Sequence, residues 1–323
     1  MSIHSYIYTH KKSFLNNPES NHSTENFRGQ VYEASFYEWL KDNVEYLNMK
    51  LVAKPPYIKR ASGNYGFLSS NDGSCCYYSR GVPLFEFDAI CYSDKSIVFY
   101  ECFISKWDKV KKSHKEACKR KIAFLKKIFP NHTIKCIVVS NNKENLDIFN
   151  GLDGVGTKIH PEPEINLKAL AMENNPRNLA LTPNMIKPHL LSQVAKKFDY
   201  LSLQLKISEG FNKNKNIKDT TQQIISFGEV VKRLHLGLLE GKSLKEDLNC
   251  KETEKVVLSL DFNDIKKPNL RYYIYENGVS ELRPNKKPKI LNRYKASRKE
   301  LLLLKEEIKS ISINDYKEIY SAL

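Results

Sequence analysis

No stretch of this 323-residue chain is apolar for long enough to cross a bilayer. Its longest apolar runs, such as Cys136–Val139 and Leu301–Leu304, fall far short of the roughly 20 residues a spanning helix needs. The opening residues, Met-Ser-Ile-His-Ser-Tyr-Ile-Tyr-Thr-His, have neither the basic start nor the apolar core of a secretory leader. The expectation is a cytoplasmic protein with no membrane span, bearing in mind that signal-independent secretion leaves no such mark. Zinc spacing is also missing. Seven cysteines are present, with no Cys-x-x-Cys pair and no Cys/His cluster, which excludes the usual structural zinc frameworks. Cys91, Cys102 and Cys136 fall in apolar, strand-like runs where a thiol behaves as a small hydrophobe, so a reducing compartment is expected. There is no internal repeat. Acids are the scarce charge, 37 Asp and Glu against 52 Lys and Arg, a net charge of +15. Such an excess favours a polyanionic partner, of which nucleic acid is the commonest, because each neutralised phosphate releases counterions. It equally suits a solvated basic surface.

With 41% hydrophobic residues the chain can bury a real core, and its length favours two domains over one. Residues 1–26 are polar and read as a tail. From Gly29, Val31, Ala34, Phe36, Leu40, Val44 and Leu47 recur at helical spacing and predict a first helix. Lys54 to Gly81 is rich in Pro, Gly, Ser, Asn and Tyr and reads as a long loop. Val82–Tyr92 and Ser96–Ile104 are apolar strands around the turn Ser93-Asp94-Lys95. A helix follows from Lys109 to Phe129, capped by Asp108 and ended by Pro130. Thr133–Ser140 reads as a strand, Lys143–Phe149 as a short helix and Thr157–His160 as an edge strand. These elements make residues 27–170 one domain, and 171–185, with a short helix near Leu167–Met172 just before it, reads as a connector. Residues 186–323 are expected to form a smaller, basic α+β domain. Its expected elements are helices at Met185–Ile207 and Gln222–Leu239, strands at Lys255–Phe262 and Arg271–Arg283 with a hairpin turn at Asn277-Gly278, and a final helix near Ser297–Lys309.

The chemistry-bearing pattern is a spaced set of acids: Glu33 on the first helix, Asp88 on the first strand of the hairpin and Glu101 on the second. Acids among apolar neighbours near strand ends are costly to desolvate unless a cation or a donor accompanies them. Two acids on paired strands can share a divalent ion, and Mg²⁺ or Mn²⁺ takes hard oxygen ligands of the kind offered by Asp88, Glu101 and the backbone carbonyl of Cys102. A structural ion pair on a sheet is the simpler alternative for Asp88 and Glu101.

In their order, these residues resemble the PD-(D/E)xK nuclease superfamily. Gly29-Gln-Val-Tyr-Glu33 matches its first-helix acid, Phe85-Glu-Phe-Asp88-Ala-Ile its Asp strand, and Phe99-Tyr-Glu101-Cys-Phe103 its Glu-x-Lys strand without the lysine. The likeness spans about Phe27 to Leu170 and its motif is short. It implies an α/β fold of the restriction-endonuclease-like kind, a central mixed sheet flanked by helices. It also implies a Mg- or Mn-dependent nuclease that hydrolyses phosphodiester bonds in DNA or RNA, in which the metal activates a water. Phe103 replaces the lysine that would orient that water. Relocation of this lysine occurs in the superfamily, and Lys106, Lys111, Lys112 and Lys115 are the candidates, with Lys111, Lys115 and Lys119 on one helical face. Tyr57, Tyr65, Phe67, Tyr77 and Tyr78, with Lys54, Lys59, Arg60 and Arg80, suit either a stacking and phosphate-contact surface or packing onto the fold. Lys112 on the next helix is a further candidate contact to nucleic acid, as are Lys286, Lys287 and Arg293 in the basic second half, where Arg271 is interleaved with Tyr272, Tyr273 and Tyr275. The alternative is a catalytically inactive nuclease-fold protein that binds nucleic acid or a protein partner, including a secreted bacterial effector.

Overall fold

Strand pairing decides more of this architecture than helical periodicity does. The computed structural model describes residues 2–59, 63–69, 73–104, 112–214, 224, 226–239, 255–263, 269–276, 278–282, 293–294 and 310–311. The chain divides into two units, Met1–Phe198 and Asp199–Leu323. It is a mixed α/β protein, and no helix among the described residues is long and apolar enough to cross a membrane.

The first unit opens with a 3₁₀ turn at Ser2–Ser5, α1 (Lys11–Asn16) and α2 (Asn21–Asn43). The expected polar tail is therefore part of the core: Ile3, Tyr6, Tyr8 and Phe14 are buried, and the rings of Tyr8 and Phe14 pack on Phe27. Single apolar residues set wide apart in a polar stretch gave no periodic signal, yet four of them suffice to dock the segment. Asn174 pins it further, donating from Nδ2 to the carbonyls of His4 and Tyr6 at 2.7 and 3.2 Å. Ser20 caps α2, its hydroxyl accepting from the Ser23 N–H.

After α2 come β1 (Lys50–Val52), β2 (Tyr65–Ser69), β3 (Cys75–Ser79), β4 (Val82–Phe87), β5 (Ala89–Tyr92) and β6 (Ser96–Cys102). The remainder of the unit is α3 (Lys112–Ile128), β7 (Thr133–Ser140), α4 (Lys143–Asp147), β8 (Val155–Ile159), α5 (Leu167–Glu173), β9 (Met185–Ile186) and α6 (Pro188–Val194). The central mixed sheet has the order β8-β7-β6-β5-β1-β9. Within it β1, β5 and β6 are antiparallel neighbours, whereas β6–β7 and β7–β8 are parallel. A parallel β6–β7 pair needs a crossover, which α3 supplies.

Three expectations change here. The stretch Lys54–Gly81 is not a plain loop, since β2 and β3 join β4 in a separate three-stranded antiparallel sheet. Its tyrosines and cysteines suit a pleated, half-buried surface, and only its turns need Gly and Asn. The expected strand Val82–Tyr92 is two strands in two sheets, broken by a bend at Asp88. The expected connector and the start of the next helix belong to the first unit: Met185–Ile186 add a parallel strand to β1, and the chain does not divide until Phe198.

Alternation along β6 places Val98, Tyr100 and Cys102 on the face that packs with α2, where Phe36, Leu40 and Tyr37 are buried. Ile97, Phe99 and Glu101 face the other way, towards α3, whose Cys118, Ile122 and Leu125 form its buried stripe. Helices thus cover both faces.

In the second unit, α7 (Tyr200–Asn214) is followed by β10 (Arg233–Leu239), β11 (Lys255–Asp261), β12 (Asn269–Glu276), β13 (Gly278–Leu282), β14 (Arg293–Tyr294) and β15 (Ser310–Ile311), which form one sheet in the order β14-β13-β12-β11-β10-β15. The helix expected over Gln222–Leu239 gives way to a strand from Arg233, paired antiparallel with β11. Its leucines suggested a helix, but burial of Leu234, His235 and Leu236 in succession is what a strand covered on both faces requires. Asp261 is buried and accepts from Arg233 and Arg271, both at 2.9 Å, and from the Tyr273 hydroxyl at 2.7 Å. Arg271 and Tyr273, read from the sequence as part of a basic aromatic surface, are therefore bound to a buried carboxylate.

Candidate active site at the end of β6

The bend at Asp88 is what gives the acids a common neighbourhood. As β4 leaves one sheet and β5 enters the other, Asp88 turns back on β6, and its Oδ2 accepts from the Cys102 N–H at 2.7 Å. Its own carbonyl accepts from the Lys54 ammonium at 2.9 Å. Lys54 is almost fully buried at 5% exposure, 4.7 Å over the Tyr37 ring, although it was expected on an open phosphate-contact surface. The Tyr37 hydroxyl, donating to the Val52 carbonyl at 2.9 Å and accepting from the Lys54 N–H at 3.2 Å, fixes the end of β1 that carries this lysine.

Glu101 finds its cation on α3. The Lys121 ammonium donates to both of its carboxylate oxygens, at 2.6 and 2.5 Å, with the two side chains only 15% and 21% exposed. It also lies 5.4 Å from the centre of the Phe87 ring. Of the proposed relocated lysines, only Lys115 has a described side chain: it lies half-buried on α3, and the cation paired with Glu101 is Lys121. Lys106 and Lys111 fall outside the described residues, as does the side chain of Lys112. Lys121 sits beside the apolar stripe, three residues after Cys118 and one before Ile122. That border position was the available signal: an ammonium there emerges over the sheet face that carries Glu101.

Phe103, one residue beyond the end of β6, donates its N–H to the Val139 carbonyl at 3.0 Å. Its ring is 5.9 Å from Phe149 and 6.0 Å from His114. Phe103 thus packs among rings, and the cation on Glu101 comes from α3.

Glu33 approaches from α2, on the opposite face of the sheet from Glu101. Burial raises its carboxyl well above the usual range, Asp88 adds to this, and Lys54 opposes it. Burial likewise pushes Glu101 up to about 8, with Lys121 pulling it down and Asp88 pushing it up. Burial lowers the Lys121 ammonium, but Glu101 and Asp88 more than compensate and leave it raised. The carboxyls are thus electrostatic neighbours in a region short of positive charge. Among the described residues no three His, Cys, Asp or Glu side chains close a metal cage by themselves. Magnesium does not need one, because it keeps several waters and is commonly held by one or two carboxylates. The donor set of Asp88, Glu101 and the Cys102 carbonyl is all hard oxygen and fits such an ion.

A cleft of about 340 Å³ opens beside Glu33, lined also by Lys54, Glu86, Cys102, Phe103 and the segment Tyr6–Tyr8. Of the aromatics expected to form a stacking surface, Tyr57, Phe67 and Tyr77 are buried, with Phe67 and Tyr77 edge to face, whereas Tyr65 and Tyr78 are half-buried. Arg80 occupies the tight turn between β3 and β4 with φ 49° and is half-buried. Arg60, Lys286 and Lys287 lie outside the described residues, and Arg293 begins β14 with its side chain likewise outside them. Compared with known protein families, curated proteins and solved structures, the chain matches none.

Proposed function

We propose that the first unit is a divalent-metal-dependent nuclease on a restriction-endonuclease-like scaffold, acting on phosphodiester bonds of DNA or RNA. The observation that carries the reading is the Lys121 ammonium on Glu101 at 2.5 and 2.6 Å, which supplies from α3 the cation that Phe103 removes from the strand. The element order supports it: helix α2, antiparallel β1, β5 and β6, crossover α3, and β7 parallel to β6. Asp88, Glu101 and the Cys102 carbonyl would hold Mg²⁺ or Mn²⁺. When bound, such an ion polarises the scissile phosphate and lowers the pKa of a coordinated water.

The chain's own residues have distinct tasks. The Cys102 N–H fixes the rotamer of Asp88, and Lys54 fixes the backbone at Asp88 through its carbonyl. Glu101, oriented by the Lys121 ammonium on both of its oxygens, would contribute a carboxylate oxygen to the ion. Lys121 steadies Glu101 and offers positive charge where the phosphorane develops negative charge. Glu33 adds a further carboxylate facing the cleft.

A second reading has one observation in its favour. Both Glu101 oxygens are engaged by Lys121, which suits an inactive, nucleic-acid-binding relative of the fold. One experiment separates the two: purified protein with Mg²⁺ or Mn²⁺ is offered labelled single-stranded, double-stranded and branched DNA and RNA. The nuclease reading expects cleavage that Asp88→Ala and Lys121→Met each reduce at least about a hundredfold. Binding without cleavage of any substrate would sink it in favour of the second.

A further inference from the structure

The cleft beside Glu33 has an unusual wall. Glu25, Gly29 and Glu33 follow one another at four-residue spacing on α2 and all three line it, so they share one helix face. Gly29 is deep inside a 23-residue helix with an ordinary helical backbone, where glycine is the poorest residue after proline. Packing does not require it either: a Cβ placed there would meet nothing within 4 Å. Neither conformation nor crowding explains the missing side chain. The result is a notch of bare backbone between two carboxylates about 12 Å apart along the helix axis.

Charge narrows what the notch receives. Among the described residues Glu25, Glu33 and Glu86 line the cleft against Lys54 and His10, in a chain whose net charge is +15. Such a lining suits hydroxyl and amino groups, which find carboxyl oxygens there, better than it suits a phosphate. The part of a nucleic acid that fits is the uncharged part, sugar and base. A paired base has its polar edge occupied by its partner, and only an unpaired base presents that edge to a pocket. The volume, about 340 Å³, is at the small end of ligand pockets and excludes a duplex.

We propose that this cleft is the subsite for an unpaired nucleotide adjacent to the scissile bond, with Gly29 as the surface on which its sugar or base rests. The substrate class is then single-stranded nucleic acid or a frayed end. This rests on the nuclease reading above, with Glu33 facing the cleft beside the site.

The test uses the full chain and Gly29→Ala and Gly29→Leu, with Mn²⁺, a labelled single-stranded oligonucleotide and the matching blunt duplex. Wild type is expected to cut the single strand at least about tenfold faster than the duplex. Gly29→Ala should unfold about 2–4 °C higher, because the helix gains propensity, yet raise KM for the single strand. Gly29→Leu should fold normally, by tryptophan fluorescence, and lose at least about tenfold in kcat/KM. A duplex cut as fast as the single strand overturns the subsite and leaves the nuclease reading standing, as does normal cleavage by a folded Gly29→Leu. Wild type that cuts neither substrate overturns both. Should Gly29→Leu fail to fold, Gly29→Ala decides: a raised melting temperature with unchanged KM rejects the proposal.

Discussion

Replacing Glu101 by glutamine should make the first unit more stable, and increasingly so as pH rises. Glu101 has its folded pKa raised from 4.5 to about 8, first by burial. A carboxyl raised on folding binds protons more tightly in the folded state, so its contribution is fully favourable below pH 4.5 and is lost as pH climbs towards 8. Each pH unit across that window removes about 1.36 kcal/mol. Relative to acid, wild type therefore forfeits under about 1 kcal/mol at pH 5 and on the order of 2 kcal/mol by pH 7, since the carboxylate's partial exposure and its ion pair with Lys121 screen the full span. Glutamine keeps the shape and an acceptor for Lys121 and has no proton to lose. Glu101→Gln should thus exceed wild type by about 2 kcal/mol at pH 7 and by well under 1 kcal/mol at pH 5, while abolishing cleavage, a trade common at active sites. Urea denaturation followed by tryptophan fluorescence is the assay, since both tryptophans, Trp39 and Trp107, lie in the first unit and the signal isolates it. Mn²⁺ should narrow the gap by stabilising wild type alone. A Gln variant no more stable than wild type at pH 7, with a difference that does not grow with pH, would show that Lys121 already satisfies an ionised Glu101 and refute the reasoning.

Two other outcomes follow from buried groups. Tyr37→Phe removes a hydroxyl that bridges the Val52 carbonyl and the Lys54 N–H and should cost about 1–2 kcal/mol in the same urea titration, with a loss of cleavage as Lys54 loosens. In the second unit, burial and then Arg233 lower the His235 pKa from 6.5 to about 3. A depressed histidine binds fewer protons folded than unfolded, so stability is complete above pH 6.5 and falls as pH drops towards 3. Hydrogen exchange in β10 and β11 should accelerate between pH 6 and 4 once the intrinsic pH dependence is removed, and a His235→Phe variant should lack that acceleration.

The heart of the first unit is legible in the sequence. The hairpin β5–β6, the crossover helix α3, the strand β7 and the edge strand β8 all follow from apolar period, turn residues and Pro130. What escaped was set by long-range partners. Asp88 interrupts an apolar run that reads as one strand, and only the existence of a second sheet explains the break. Lys121 reads as one more solvated lysine, because periodicity assigns it to the border of the stripe and says nothing about the carboxylate opposite. Arg233–Leu239 is leucine-rich enough for a helix until β11 is present to pair with it. Lys54, placed in a loop by its Pro-rich surroundings, is buried because a tyrosine face and a backbone carbonyl receive its charge.

The bond from Asn174 to the carbonyls of His4 and Tyr6 joins positions 170 and 168 residues apart. At a synthesis rate of roughly 5–20 residues per second, the two ends of this bond emerge roughly 10–35 s apart. During that interval the segment that supplies Tyr6 to Tyr8 has nothing to dock on at the α5 end. A ribosome-bound chain that already carries Asp88 and Glu101 therefore still lacks the bonds that pin one wall of the cleft, and that wall is completed only late in translation.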